Sequence, residues 1–336
     1  VFTTVSRRAL LLVATSLVVA LAAALAAFKG TEQHAGAAAQ DTAPRPRPSV
    51  NSTPQNLVAP LRSRPGEVAV CEEPGTDEIL HVPDPGAPAP GRPVWVRRPP
   101  GPDSADLPVL YLLHGSTSTH RTIMEADIGP LLDEEMCRSG VEFVIAAPFG
   151  QEIGGADTEW GDAVDGSFKI ETFVTEKAIE AVEGDHRRPR AMRAIGGFSM
   201  GGYAAAALPL RHPDLYSQAV SWAGYYKVDD PSGTFGDNAD AHAPDQLVDE
   251  PGVRDIRFML VEGTDDRTPL QEGSIHGEAR RFEKLLRERD MTVRTSFPEG
   301  EHDFETWKKT FPEAVDFLVE QWAAPDLGIA PTSSAD

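Results

Sequence analysis

The chain has 336 residues, 40% apolar and 25% charged, with 31 Lys and Arg against 52 Asp and Glu for a formal net charge of −21. These proportions exclude wholesale disorder, and the acidity excludes a nucleic-acid partner, whose phosphates must be met by Lys and Arg. Two cysteines, Cys71 and Cys137, are too few for a disulfide scaffold and lack the spacing of a zinc site.

The first 39 residues stand apart. Arg7 and Arg8 precede residues 9–28, an uncharged run whose only polar members are Thr15 and Ser16. As a helix this run would span about 30 Å, one bilayer core, and the arginines set its amino end in the cytoplasm. Two readings stay open: a signal peptide cut after Ala37-Ala38-Ala39, or an uncleaved anchor. The arginine pair suits a twin-arginine signal and a general secretory one alike. Either way the protein is expected to be exported, secreted or anchored to the outer face of the cytoplasmic membrane, with residues 9–28 its only membrane attachment. Residues 40–66 carry Pro44, Pro46, Pro48, Pro54, Pro60 and Pro65 and read as an extended linker. Residues 324–336 read as an unstructured tail, which leaves 67–323 as one folded domain.

Within that domain short apolar runs at 109–113, 143–147, 194–197, 219–222 and 258–261 alternate with amphipathic stretches at 128–138, 171–182, 202–211, 274–289 and 312–322. Residues 292–297 add a strand-like segment. Continuous apolar runs mark strands covered on both faces, so the pattern predicts an α/β fold with a mostly parallel sheet between two layers of helices. Chemistry in such folds collects just beyond the carboxyl ends of the strands.

Gly197-Phe198-Ser199-Met200-Gly201 lies between a predicted strand and a predicted helix, the context of a G-x-S-x-G nucleophile elbow. The alternative is a glycine-rich turn whose serine caps the helix. An elbow requires an acid and then a histidine later in the chain. Four histidines follow Ser199: His212, His242, His276 and His302. His302, in a loop between the last strand and the last helix, is the candidate base. Asp265 and Asp266 leave the strand at 258–261; Asp266 is preferred as the acid that orients the imidazole, with Asp265 the runner-up. The amides of Ser116 and Met200 are the candidate oxyanion donors, the second at the positive start of a helix. His114 is read as a structural hydrogen-bonder.

Three stretches carry a family resemblance: Leu110-Tyr111-Leu112-Leu113-His114-Gly115, Gly197-Phe198-Ser199-Met200-Gly201-Gly202-Tyr203, and Gly300-Glu301-His302-Asp303-Phe304-Glu305-Thr306-Trp307. With them the chain resembles the esterase branch of the α/β-hydrolases, which includes esterase D-like enzymes, feruloyl esterases and antigen 85 mycolyltransferases. The resemblance covers roughly residues 105–322. It implies an α/β-hydrolase fold with Ser199 as nucleophile, Asp266 as acid, His302 as base, and Ser116 and Met200 as the oxyanion hole. The chain departs from mycolyltransferases, which generally carry glutamate as the acid. Trp160 corresponds loosely to a pocket aromatic of these families, or is a core residue. The acidic stretch 229–250 is a lid or a solvated excursion. Cys71 and Cys137 are either free or paired.

The expectation is therefore an exported serine hydrolase that cleaves a carboxylic ester, small or from the cell envelope, through an acyl-enzyme, without cofactor or metal. Transfer of an acyl group to a sugar hydroxyl is the alternative, and a binding protein on a hydrolase scaffold the second.

Overall fold

Apolar runs that cannot leave either face in water must lie side by side under cover. In the computed structural model they collect in one eight-stranded sheet. The structure describes residues 68–323 apart from Val228, Asp229, Pro231, Gln271 and Glu272. The leader or anchor at 1–39, the linker at 40–66 and the tail at 324–336 lie outside the described residues. Among those described, no helix is long and apolar enough to cross a membrane.

The strands are β1 (Thr76–Val82), β2 (Arg92–Arg98), β3 (Val109–Leu113), β4 (Val144–Pro148), β5 (Arg193–Phe198), β6 (Gln218–Trp222), β7 (Arg257–Val261) and β8 (Val293–Ser296). Their spatial order is β1-β2-β4-β3-β5-β6-β7-β8. The six strands from β4 to β8 run parallel, while β1 and β2 are antiparallel additions at one edge. Every residue of β3, β4, β5 and β6 is buried. From β3 the chain crosses to β4 on one side and returns to β5 on the other. The crevice beyond the carboxyl ends of β3 and β5, which pair Leu113 with Gly197, is thus the switch point where an α/β sheet binds ligands.

The helices are α1 (His120–Glu125), α2 (Ile128–Ser139), α3 (170–183, with a π-helical middle at Phe173–Ala178), α4 (Met200–Arg211), α5 (Pro244–Leu247), α6 (Glu278–Arg287), α7 (Phe304–Lys308) and α8 (Phe311–Trp322). α6 starts later than the sequence pattern predicts, because Gly277 at its N-cap takes a φ of 87°. A buried carboxylate, Glu183, fastens the end of α3 to the sheet by accepting from Arg193 Nε at 2.6 Å and from Tyr111 at 3.0 Å. Cys71 and Cys137 are joined as a disulfide, which staples the turn before β1 to α2. The described residues of 229–250 form a surface excursion, exposed at 236–238 and 249–250, that is anchored to the fold at several points. Val248 is fully buried, and the carbonyls of Ala241 and His242 accept from Arg211 and Tyr203 of α4.

Candidate active site

β5 ends at Phe198 and α4 begins at Met200, so a single residue makes the turn between them. That residue, Ser199, has φ 56° and ψ −117°, a conformation a side-chain-bearing residue adopts only under strain of about 1–3 kcal/mol. The turn closes because its flanks are glycine. A Cβ on Gly197 would lie 2.2 Å from the Gly201 carbonyl oxygen, and one on Gly201 would lie 2.3 Å from that of Leu113. The strained turn is held by the Ser199 N–H, which donates to Trp222 O at 2.9 Å. The Ser199 hydroxyl does not cap α4, which removes the capping alternative. It is half-buried, at the positive end of a helix whose first N–H groups have no partner within it.

The acid and the histidine are brought together. Beyond β7, Asp266 is fully buried, and its Oδ2 accepts from His302 Nδ1 at 2.5 Å while its Oδ1 accepts from the Thr268 amide at 2.9 Å. Burial alone would push the Asp266 carboxyl up; the hydrogen bonds from His302 and Thr268 outweigh it and hold the group below its usual range. With Nδ1–H committed to Asp266, Nε2 is the ring atom left to take a proton. Asp265 is exposed, and only its N–H is engaged, donating to Gly300 O at 3.0 Å. This N–H, with that of Thr264 to Pro298 O at 3.0 Å, fixes the acid's loop against the histidine's.

His302 is related to the nucleophile through packing. The Trp307 ring stands edge-on to His302, with centroids 5.2 Å apart, and stacks on Phe198, the neighbour of Ser199, also at 5.2 Å. Asp303 caps α7 by accepting from the Thr306 amide at 2.8 Å, which sets Trp307 in place one turn after the histidine. No hydrogen bond joins Ser199 to His302 among the described residues.

The loop after β3 passes beside the serine: a Cβ on Gly115 would lie 3.2 Å from Ser199 Cβ. Its shape starts at His114, which is fully buried. The His114 Nε2 accepts from the Gly150 amide at 3.0 Å, so Nδ1 carries the hydrogen and donates to Gly115 O at 2.9 Å. Burial pushes this imidazole down to about 4, so it stays neutral, a structural hydrogen-bonder as the sequence suggests. Beyond it, Ser116 and Thr117 are exposed and both bonded to Asp157. Asp157 borders an open cleft of about 760 Å³, also lined by Phe168, Ser167, Ser232 and Thr234.

Trp160 is a core residue, 1% exposed, with its indole N–H donating to His114 O at 3.1 Å. Of the other late histidines, His212 donates to the Glu171 carboxylate at 2.7 Å, His242 is buried against Phe235, and His276 is exposed. A buried carboxyl beside the acid escaped the sequence reading. Glu262, directly after β7, is 2% exposed, and neither carboxyl oxygen has a hydrogen-bond partner. Burial first and the nearby Asp266 second push it up to about 10, so it is uncharged at neutral pH. A glutamate at the end of an apolar run offers no pattern by which to find it.

A strained serine between a buried strand and a helix, with an acid–histidine pair from the later strand ends, defines an α/β-hydrolase. The chain belongs to the esterase family whose description is "Putative esterase", matching its model over residues 90–318, and is a carboxylic ester hydrolase. No curated protein matches the sequence. Among solved structures the chain is similar to a ferulic acid esterase, with 21% identity and a TM-score of 0.61 over 74% of this chain and 98% of that one. It is also similar to an S-formylglutathione hydrolase from Agrobacterium tumefaciens, with 17% identity and a TM-score of 0.60 over 80% and 100% of the two chains. A third is MPT51 (FbpC1) of Mycobacterium tuberculosis, with 19% identity and a TM-score of 0.58 over 73% and 98%. At these identities the likeness is one of fold.

Proposed function

We propose that the protein is an exported serine esterase working through an acyl-enzyme, with Ser199 as nucleophile, His302 as base and Asp266 as acid. The observation that carries this reading is the 2.5 Å bond from His302 Nδ1 to the buried Asp266, packed through Trp307 against the residue next to Ser199.

As Ser199 Oγ attacks the ester carbonyl, His302 Nε2 takes its proton, and Asp266 stabilises the resulting imidazolium. The carbonyl oxygen becomes an oxyanion held by the N–H groups of Ser116 and Met200, the second aided by the dipole of α4. On collapse the C–O bond to the alcohol breaks, and His302 returns the proton to the leaving oxygen. Water then attacks the acyl-enzyme with His302 again as base, releasing the acid and restoring the serine. The His302 side chain is 23% exposed, so water reaches the base for this step. Export is supported by the Cys71–Cys137 disulfide, a bond that persists in oxidising compartments.

Labelling with a fluorophosphonate probe tests the reading. Modification of Ser199 in the folded protein, absent in Ser199→Ala, is expected; a folded protein that resists the probe refutes it. Adding trehalose to an ester assay and finding acylated sugar in place of free acid would move the assignment to acyl transfer.

A further inference from the structure

We propose that Asp157 is a positioning residue for the oxyanion hole, an assignment that rests on the serine-esterase mechanism above. The peptide joining Gly115 to Ser116 is held at its carbonyl, which accepts from His114 Nδ1 at 2.9 Å and from the Ser118 amide at 3.3 Å. In a trans peptide the N–H points opposite to the C=O, so the Ser116 N–H is turned away from both donors.

The far side of the same loop is held by one carboxylate. Asp157 Oδ2 accepts from the Ser116 hydroxyl, and Oδ1 accepts from the Thr117 N–H at 3.0 Å and from Gln151 Nε2 at 2.9 Å. Thr117 has a φ of 54°, a left-handed conformation that is unfavourable for a β-branched residue. The loop therefore needs an outside hold to keep its shape, and the bond from the Thr117 amide to Asp157 provides it. Gln151, buried beyond β4, fixes the carboxylate in turn. The clamp thus ties the loops after β3 and β4 together. An oxyanion hole stabilises the transition state only if its donors are in place before the charge develops. Asp157 reaches no reacting atom; it acts through the loop.

The role requires geometry and not charge. In Asp157→Asn, Oδ1 can still accept from Thr117 and Gln151, while Nδ2 donates to a Ser116 hydroxyl that reverses its role. Asp157→Ala loses all three bonds. The test is steady-state hydrolysis of p-nitrophenyl acetate by the wild type, Asp157→Ala, Asp157→Asn and Ser116→Ala, with fluorophosphonate labelling and thermal melts alongside. Acylation and deacylation both pass through an oxyanion, so Asp157→Ala should lower kcat by about 10–100-fold, with KM within about twofold of wild type. Asp157→Asn should recover to within about threefold of the wild-type kcat. Ser116→Ala, which keeps the amide and loses one tether, should fall between them, and it carries the test if Asp157→Ala does not fold.

Three results would overturn the assignment: an Asp157→Ala kcat near wild type, a rise in KM alone, or an Asn variant as impaired as the Ala one. Failure of the probe to label wild-type protein would instead overturn the esterase mechanism and this assignment with it. A labelled wild type separates the two.

Discussion

The Nδ1 of His302 lies 2.5 Å from Oδ2 of Asp266, although the two residues are 36 positions apart and leave different strands. Asp266 has no exposed side-chain surface, so no water competes for this bond. Replacing Asp266 with Asn leaves an amide that favours the wrong imidazole tautomer, and kcat on a nitrophenyl ester should fall about 10⁴-fold. Ser199→Ala should cost roughly 10⁶-fold, because the members of such a set act as a unit. Asp265→Asn, at an exposed position, should leave kcat within about twofold. A large loss at Asp265 and a small one at Asp266 would reverse the assignment.

Three buried histidines make the fold acid-sensitive. Burial pushes His114, His120 and His242 down to about 4 from an ordinary 6.5. Between these two values the unfolded chain binds protons that the folded one refuses, so stability is intact above pH 6.5 and declines as the pH falls toward 4. The urea midpoint should therefore drop between pH 7 and pH 5. His120 offers the cleanest check, since neither of its ring nitrogens has a hydrogen-bond partner. His120→Phe should make the midpoint less dependent on pH across this window; an unchanged slope would count against it.

Glu262 acts in the opposite sense. A carboxyl raised from 4.5 to about 10 stays protonated in the fold but ionises once unfolded. Its contribution to stability is whole below pH 4.5 and is lost progressively as the pH rises toward 10. Glu262→Gln keeps the shape and removes the titration. The melting temperature should rise by several degrees at pH 8 and change little at pH 4; equal shifts at both would show that ionisation is not the cause.

The disulfide closes a loop of 66 residues. Constraining the unfolded chain over that length stabilises the fold by about 2–4 kcal/mol. The double variant Cys71→Ser/Cys137→Ser should show a loss of this size in urea unfolding and keep its kcat below the melting range, because the bond lies at the turn before β1, away from the strand ends that carry the site.

The parallel strands were legible because a buried strand needs apolar residues on both faces, and 109–113 or 258–261 contain little else. β1 and β2 were not. Thr76–Val82 is largely exposed and carries Asp77, Glu78 and His81, while Arg92–Arg98 includes Pro93 and buries arginines paired with carboxylates. Hydrophobic periodicity is silent on an edge of that kind. Ser199, Asp266 and His302 could be chosen as candidates because the elbow motif dictates an order of chemical types along the chain, and the structure pairs the last two. Asp157 and Glu262 could not, since their contacts arise from a loop's curvature and from burial after an apolar run, neither of which leaves a motif. Trp160 shows the same limit from the other side: its indole fills the space over Gly150, where a Cβ would meet the ring at 2.3 Å, and only coordinates distinguish a pocket wall from a core.

Trp307 gives this molecule a built-in optical gauge. Its indole meets the His302 imidazole edge-on and the Phe198 ring face-on, so it adjoins the proposed base and the neighbour of the proposed nucleophile. A protonated imidazole withdraws excited-state electron density from a neighbouring indole. The share of the emission lost in Trp307→Phe, read against the other four tryptophans, should therefore dim when His302 is protonated.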